Sequence, residues 1–263
     1  MGLAWLGQAG FALRHEHAFL LIDPYLSDHL AEKYRGTEFP HVRMMPPPIA
    51  AANLPPVTAV LCTHRHSDHM DPAALPIVAA MHPACRFVVP RAEREAAERI
   101  GLPPGRLVTV DAGETAEIAP GIVAVAVPAA HETLRQNERG EHHFLGYVIR
   151  LGRVTLYHSG DCVPYGGLAE RLRREAIDVA LLPVNGRDAY RRERGVPGNM
   201  DWNEAVALCL AAGIPRLVPH HFGMFNFNTV DQRALGAAAA AAPPAVRCLL
   251  PSVETHYVFH CEV

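Results

Sequence analysis

Residues 57–70, VTAVLCTHRHSDHM, join a continuous apolar run to the densest group of histidines in the chain. The run Val57–Cys62 is typical of a fully buried strand, and the histidines follow at its end. From His64 to His69 the sequence has the pattern His-x-His-x-Asp-His. With 16 histidines among 263 residues, chance would produce this pattern on the order of a few times in a thousand such chains. The segment therefore indicates a specific chemistry.

The spacing of these residues suits metal binding. His64 and His66 alternate, so an extended segment directs both side chains to the same side. Asp68 and His69 follow as the chain turns, which allows a second metal ion close by. Imidazole nitrogen and carboxylate oxygen are ligands that borderline divalent cations accept. The alternative is a polar loop of solvated histidines, and the match to the full pattern argues against it.

The composition excludes several classes of protein. Hydrophobic residues make up 49% of the chain and charged residues 19%, which is enough apolar material for a core and excludes a disordered chain. The net charge is −3, so the chain has no excess of positive charge with which to bind nucleic acid by electrostatics alone. The six cysteines have no paired spacing, and no apolar run approaches the roughly 20 residues that a bilayer requires. We expect a cytoplasmic protein without a membrane or nucleic-acid partner.

Strands and helices alternate along the chain, and no linker divides it. The pattern therefore predicts one α/β domain over residues 1–263 with more than one sheet. Residues 40–56 are rich in proline, and their apolar content predicts an ordered loop. The predicted strands are Leu3–Leu6, Phe11–Leu13, Ala18–Ile22, Val57–Cys62, Phe87–Val89, Ile122–Val127, Phe144–Leu151, Val154–Tyr157, Val179–Leu182, Leu217–Pro219, Arg247–Leu250 and Tyr257–Phe259. The predicted helices are Pro72–Met81, Arg91–Ile100, Leu168–Ala176, Trp202–Ala212 and Thr229–Ala242.

The histidine segment resembles the signature of the metallo-β-lactamase fold superfamily, whose members are mostly dinuclear metallohydrolases. Four further segments are similar to blocks of that superfamily: Leu21–Pro24, His131 after the strand Ile122–Val127, Leu156–Asp161 and Leu217–Gly223. Together with the signature, these blocks extend over residues 21 to 223. Their order, the proline-rich loop and the Pro-x-His ending resemble the branch that contains ascorbate-6-phosphate lactonase. The resemblance implies an α/β fold arranged as a four-layer αββα sandwich.

The resemblance also implies a set of ligands for two divalent metal ions. His64, His66 and His131 would hold the first, Asp68, His69 and His221 the second, and Asp161 would bridge them. His220 is the rival for the last position. The Pro-x-His pattern favours His221, although spacing alone does not decide between the two. Nitrogen-rich ligation favours zinc, with manganese or iron as alternatives.

Other residues near these blocks have competing interpretations. Cys162 is expected to pack rather than bind metal, because it points away from Asp161 in an extended turn. His158 is expected to support a ligand from behind or to lie in the core. Glu132 either orients His131 or is solvated. Nine histidines have no defensible ligand spacing: His15, His17, His29, His41, His82, His142, His143, His256 and His260.

Residues 187–194 contain four arginines. Guanidinium groups bind phosphate and carboxylate in a bidentate manner, so Arg187, Arg191 and Arg192 are candidates for binding an anionic substrate. A solvated loop or a contact within a homo-oligomer is the alternative.

These features predict a metal-dependent hydrolase, lactonase-like or phosphoesterase-like, that acts on a small anionic ester, lactone or phosphoester. A metal-activated hydroxide would be the nucleophile, and Asp68 would orient it as the catalytic residue. The substrate would be a small molecule, and the resemblance favours a phosphorylated or carboxylated one. One alternative is a phosphodiesterase or nuclease on the same fold, and another is a metal-binding sensor without catalytic activity.

Overall fold

The structure, a computed structural model, describes residues 1–259. Its first sheet has seven strands: β1 (Gly2–Gly7), β2 (Gly10–His15), β3 (Ala18–Ile22), β4 (Ala59–Leu61), β5 (Arg86–Pro90), β6 (Leu107–Val110) and β14 (His256–Val258). The second sheet also has seven: β7 (Thr115–Ala119), β8 (Ile122–Pro128), β9 (Leu145–Leu151), β10 (Val154–His158), β11 (Val179–Pro183), β12 (Arg216–His220) and β13 (Arg247–Cys248).

Each sheet consists of an antiparallel part and a parallel part. In the first, with the order β14-β1-β2-β3-β4-β5-β6, the pairs from β14 to β3 are antiparallel and those from β3 to β6 are parallel. In the second, the pairs from β7 to β10 are antiparallel and those from β10 to β13 are parallel. Parallel neighbours end at the same edge of a sheet. The loops after β3 and β4 therefore lie together, as do those after β10 and β12 with β11 between them.

Seven helices connect these strands: α1 (His29–Lys33), α2 (Ala74–Met81), α3 (Arg94–Arg99), α4 (Leu168–Glu175), α5 (Ala189–Glu193), α6 (Trp202–Ala212) and α7 (Gln232–Ala240) within residues 1–259. The ends of α6 follow from its sequence, because Asp201 and Glu204 form a capping box and Gly213 takes φ 72° at the last turn. Short 3-10 turns are present at Ala51–Asn53, Arg91–Glu93 and Pro104–Arg106.

The two faces of the first sheet bury different cores. On β3, Leu20 and Ile22 pack into the core that the two sheets share, whereas Leu21 faces the core formed with α2. This division follows from the alternation of side chains along a strand. On the second sheet, α6 packs against β11 and β12, and α4 packs against α6. The predicted four-layer αββα sandwich is confirmed.

The structure departs from the predicted elements in a few places. Strands β6 and β7 and the short helices α1 and α5 were not predicted. The predicted helix Arg91–Ile100 is a 3-10 turn followed by α3. The predicted helix Thr229–Ala242 is shorter, because Asp231 caps α7 and accepts a hydrogen bond from the Ala234 amide. His260 and Cys261 lie outside the described residues, and the single domain over residues 1–263 stays a prediction. Within residues 1–259, every helix is too short or too polar to cross a bilayer.

Candidate metal centre

The predicted ligands come from loops that each follow a strand, and the structure brings all of them together. Residues 63–69 follow β4, His131 follows β8, Asp161 follows β10, and His221 follows β12 directly. Each ligand is thus held at the end of a hydrogen-bonded strand. Such placement gives the side chains a rigid base.

The side chains form two groups. His64, His66, His131 and Asp161 each offer one nitrogen or oxygen, and these atoms lie within 4.8 Å of one another. Asp68, His69 and His221 form the second group under the same limit of 4.8 Å. The division is the one that the resemblance implied.

Asp161 stands between the two groups. Its Oδ2 lies 3.9 Å from Nε2 of His131. Its Oδ1 lies 3.3 Å from Nε2 of His69 and 3.4 Å from Nε2 of His221. One carboxylate oxygen therefore faces each group, which is the geometry of a bridging ligand.

Asp23, at the end of β3, fixes the orientation of two of the histidines. Its Oδ2 accepts hydrogen bonds from Nδ1 of His69 at 2.7 Å and from Oγ1 of Thr63 at 2.6 Å. Because the Thr63 hydroxyl donates to Asp23, its oxygen accepts from Nδ1 of His64 at 3.0 Å. Both imidazoles thereby present Nε2 to the centre. Carboxylate and hydroxyl partners of this kind set the tautomer of metal-binding histidines.

The buried atoms at the centre fit metal ions. Among residues 1–259, hydrogen-bond partners are absent for Nε2 of His64, Nε2 of His69, both ring nitrogens of His131 and Oδ1 of Asp161. Buried polar atoms are nearly always paired in folded proteins. Unpaired imidazole nitrogens and a carboxylate oxygen, gathered in the two groups described above, suit borderline divalent cations.

The pKa shifts of His64, His66 and Asp161 also favour ligation. Burial lowers the pKa of His64 well below its ordinary value, and the nearby His69 and His66 add to this effect. Burial likewise lowers the pKa of His66 to about 4. Burial raises the pKa of the Asp161 carboxyl, but His221 and His69 outweigh it and hold this pKa well below its usual range. Near neutral pH these groups are lone-pair donors.

The structure separates His220 from His221. His221 has φ 61°, and its side chain lies 3.8 Å from Oδ2 of Asp68. His220 is the last residue of β12 and is fully buried, where it stacks on His158 with ring centroids 4.8 Å apart. His221 therefore belongs to the second group, whereas His220 packs behind it.

The other doubtful residues are also placed. His158 accepts from the Gly160 amide and contacts the Ala9 carbonyl at 2.8 Å, so it lies in the core. The Cys162 thiol is buried and directed at the Val163 carbonyl. This position agrees with the expectation that Cys162 packs and does not bind metal. Glu132 lies 3.4 Å from Nε of Arg192.

A cavity of about 680 Å³ opens beside the two groups. Its wall includes His66, Asp68, His131, Asp161 and His221. The wall also contains three cations and an aromatic surface: Lys33, Arg65, Arg194, Tyr34, Phe39, His41 and Phe225. Arg65 lies 3.8 Å from the buried Glu93, whose other oxygen is 2.6 Å from Nδ1 of His143. The cavity therefore has a charged portion and an apolar portion.

The three predicted substrate-binding arginines are not part of the wall of this cavity. Arg187 forms a bidentate ion pair with Glu204, at 2.6 and 2.7 Å. Arg191 is held by Asp188 and by the Asn228 side chain. Arg192 is 58% exposed beside Glu132. Their direct role in substrate binding stays a prediction, and the geometry favours Arg65 and Arg194 instead.

Sequence reasoning missed Gln8, a buried residue of the loop between β1 and β2. Its Nε2 donates to Oδ2 of Asp68 at 2.9 Å and lies 3.2 Å from Nε2 of His221. Gln8, Asp23, His41, Glu132 and His221 also adopt positive φ values between 45° and 65°. Strained backbone of this kind concentrates at functional sites. The only signal in the sequence was a glutamine between small residues in an apolar segment.

The family follows from a direct match. A family model described as the β-lactamase superfamily domain matches residues 19–222. This range contains every member of both groups of candidate ligands. The chain belongs to the metallo-β-lactamase superfamily.

Relatives and solved structures agree with this membership. A protein from Opitutus terrae named a metal-dependent hydrolase is 31% identical over 258 residues, covering 95% of this chain and 97% of the relative. One of the same name from Pyrobaculum neutrophilum is 29% identical and covers 92% of each chain. The isothiocyanate hydrolase from Delia radicum gut bacteria shares the fold with a TM-score of 0.77 and 20% identity, covering 98% of this chain and 99% of its own. Igni18, a metallo hydrolase from Ignicoccus hospitalis, shares it with a TM-score of 0.69, 20% identity and the same coverages of 98% and 99%.

The prediction of a metal-dependent hydrolase is confirmed at the level of the family and of its named relatives. The lactonase-like branch, the identity and number of the metal ions and the substrate remain predictions.

Proposed function

We propose that this member of the superfamily is a dinuclear metal-dependent hydrolase of a small anionic ester, lactone or phosphoester. The observation that carries the proposal is the Asp161 carboxylate, with Oδ2 toward His131 and Oδ1 toward His69 and His221. Asp161 would bind both ions, His64, His66 and His131 the first, and Asp68, His69 and His221 the second.

The chemistry would be shared between the ions and the chain. Two divalent ions bound there would lower the pKa of a water molecule and polarise a carbonyl or phosphoryl group. Asp68 is suited to hold the attacking water, because only its Oδ2 accepts a hydrogen bond from Gln8. Within residues 1–259, Oδ1 of Asp68 has no hydrogen-bond partner, so this oxygen is free to accept one from water. Asp68 would thereby orient the nucleophile and take up its proton.

The cavity supports an anionic substrate. Lys33, Arg65 and Arg194 are matched in number by Glu38, Asp68 and Asp161 in its wall. Two divalent ions would leave this wall with an excess of positive charge, which favours an anion. Tyr34, Phe39 and Phe225 provide an apolar surface for the remainder of a small molecule.

A screen with defined metal content tests this proposal. The protein is reconstituted with zinc, manganese or iron(II) and assayed on p-nitrophenyl acetate, dihydrocoumarin, p-nitrophenyl phosphate and bis(p-nitrophenyl) phosphate. We expect turnover of at least one ester, lactone or phosphate monoester, and loss of at least about a hundredfold in kcat/KM for Asp161→Ala. The matched control is Asp178→Ala. The Asp178 carboxylate accepts a hydrogen bond from the Thr155 amide, at the end of β10 that is away from Asp161.

Each alternative has its own outcome. Turnover restricted to bis(p-nitrophenyl) phosphate would favour the phosphodiesterase or nuclease alternative. Binding of two metal ions without turnover of any of the four compounds would favour the metal-binding sensor and overturn the hydrolase proposal.

A further inference from the structure

Asn228 lies in the loop between β12 and α7, and it forms part of the wall of the cavity beside the candidate metal centre. Its Oδ1 accepts two hydrogen bonds, one from Nη1 of Arg191 at 2.6 Å and one from Nδ2 of Asn185 at 2.8 Å. The side chain is mostly buried, at 8% exposure for the residue. Its amide group is therefore held in one position.

These partners also identify which end of the Asn228 amide is the oxygen and which end is left unpaired. A guanidinium group only donates hydrogen bonds, so the atom opposite Arg191 has to be the oxygen. The assignment continues through the next amide, where Oδ1 of Asn185 accepts from Nδ2 of Asn199 at 3.1 Å. Among residues 1–259, Nδ2 of Asn228 donates to no acceptor, and Asn228 lines the cavity, so this donor is free to bind a ligand there.

Each of the three guanidinium nitrogens of Arg191 donates a hydrogen bond within this arrangement. Its Nε donates to Asp188, its Nη1 to Asn228, and its Nη2 to the Asn185 carbonyl at 3.1 Å. The side chain is only 12% exposed. Arg191 therefore acts on the cavity through Asn228 and not by direct contact with a ligand.

We infer that Asn228 is a substrate-binding residue whose Nδ2 donates a hydrogen bond to an oxyanion of the substrate, and that Arg191 is its positioning residue. The inference rests on the proposed function, because it concerns the substrate of the same site. An oxyanion is the matching group, since the free donor shares its cavity with Lys33, Arg65 and Arg194. Phosphate and carboxylate share this chemistry, and the experiment distinguishes them.

Ligand binding to the zinc-reconstituted protein tests the inference without requiring turnover. Isothermal titration calorimetry is carried out with inorganic phosphate, phenyl phosphate and benzoate. Fluoride is the matched ligand control, because a single-atom anion can bind metal ions without reaching the cavity wall. In Asn228→Ala we expect about tenfold weaker binding of phosphate and phenyl phosphate or of benzoate, with unchanged fluoride binding and metal content.

Two further variants separate the donor from the scaffold. In Asn228→Asp, the carboxylate keeps its hydrogen bonds from Arg191 and Asn185 but loses the donor. We expect a normal Tm and oxyanion binding at least as weak as in Asn228→Ala. In about 0.5 M salt, where simple repulsion is screened, most of this loss should persist.

The positioning role of Arg191 is tested by a double-mutant cycle. We expect Arg191→Ala to weaken oxyanion binding about threefold to tenfold, and Arg191→Lys to restore part of it. In the double variant Arg191→Ala/Asn228→Ala, binding should be no weaker than in Asn228→Ala alone. Additive losses would overturn the positioning role.

Failure of the inference differs from failure of the proposed function. If the wild-type protein binds two zinc ions and oxyanions but Asn228→Ala and Asn228→Asp bind them equally well, the inference is wrong. If none of the three oxyanions binds the zinc-loaded wild type, the inference is also wrong. Failure to bind zinc at all, or to turn over any of the four compounds assayed above, would contradict the proposed function instead.

Discussion

At the scale of single residues, Asp23 links the strand core to the candidate ligands. Its two oxygens accept from the Thr63 amide at 2.8 Å, from the Thr63 hydroxyl and from Nδ1 of His69. The carboxylate has no proton of its own, so it accepts from all three donors at once. The result is a fixed tautomer for His69 and, through Thr63, for His64.

We predict that Asp23→Asn weakens zinc binding about tenfold to a hundredfold. The amide would direct an N–H group at a donor, so that His69 or Thr63 loses its partner. Competition with a chromophoric chelator measures the zinc affinity. Asp178→Asn is the control, since its carboxylate accepts a hydrogen bond from the backbone amide of Thr155, at the end of β10 away from Asp161. Equal zinc affinity for Asp23→Asn and the wild type would contradict the role given to Asp23.

The candidate ligands and the supporting residues differ in how well the sequence predicts them. His64, His66, Asp68 and His69 lie within one short motif, so local spacing was sufficient to identify them. Gln8 contacts Asp68 across 60 positions and His221 across 213. Sequence periodicity cannot predict such contacts, because they depend on how distant parts of the chain pack together. Asn228 was missed for the same reason.

At the scale of elements, the turn after β10 determines how closely Asp161 approaches the histidine segment. Gly160 has φ 60°, and a Cβ atom there would lie 2.7 Å from Cβ of Thr63. Only glycine fits such a position without strain or displacement. The close packing of these two loops is what places the Asp161 carboxylate beside His69.

We predict that Gly160→Ala destabilises the protein by about 2–4 kcal/mol, as the sum of a left-handed backbone and overpacking against Thr63. The free energy of unfolding in urea measures the effect. Gly166→Ala, in the same connection, is the control, because its Cβ would meet no atom within 4 Å. An unchanged unfolding midpoint for Gly160→Ala would show that the two loops can separate freely.

Most strands and helices were predictable, because their sequences are either continuously apolar or clearly periodic in hydrophobicity. Helix α6 was predicted from Trp202 to Ala212 and has these bounds in the structure. Strand β7 has only five residues, its exposed and buried residues alternate over the first four, and Glu117 interrupts its apolar character. Helices α1 and α5 have five residues each, which is too short for a periodic signal. The N-terminus of α5 is capped by the Asp188 side chain, which accepts a hydrogen bond from the Arg191 amide.

At the scale of the whole molecule, the two sheets place a group of uncharged imidazoles in the interior. Burial lowers the pKa values of His64, His66, His131, His158 and His220 below the ordinary value. His69 is the exception: burial lowers its pKa, but Asp161, Asp68 and Asp23 outweigh burial and raise it. In this group, the histidines with a lowered pKa therefore outnumber the single histidine with a raised pKa.

We predict that the metal-free protein loses stability as the pH falls below about 6.5. In the unfolded chain the histidines bind protons near this pH, whereas in the folded chain His66 does so only near 4. The unfolded state therefore takes up more protons between these values, which favours unfolding. His69 acts in the opposite direction, but the histidines with a lowered pKa, His41 included, are more numerous. We expect Tm to fall by about 5 °C or more from pH 7.5 to pH 5, and a constant Tm would contradict this.

We predict that two metal ions bind where the strand ends of the two sheets meet, with His221 and not His220 as a ligand of the second. Elemental analysis of the zinc-reconstituted protein tests it most directly, with His17→Ala as a control at an exposed histidine of the β2–β3 turn. We predict close to two zinc ions per chain for the wild type, His17→Ala and His220→Ala, and close to one for His221→Ala. One ion in the wild type, or a loss in His220→Ala with two ions retained in His221→Ala, would contradict the claim.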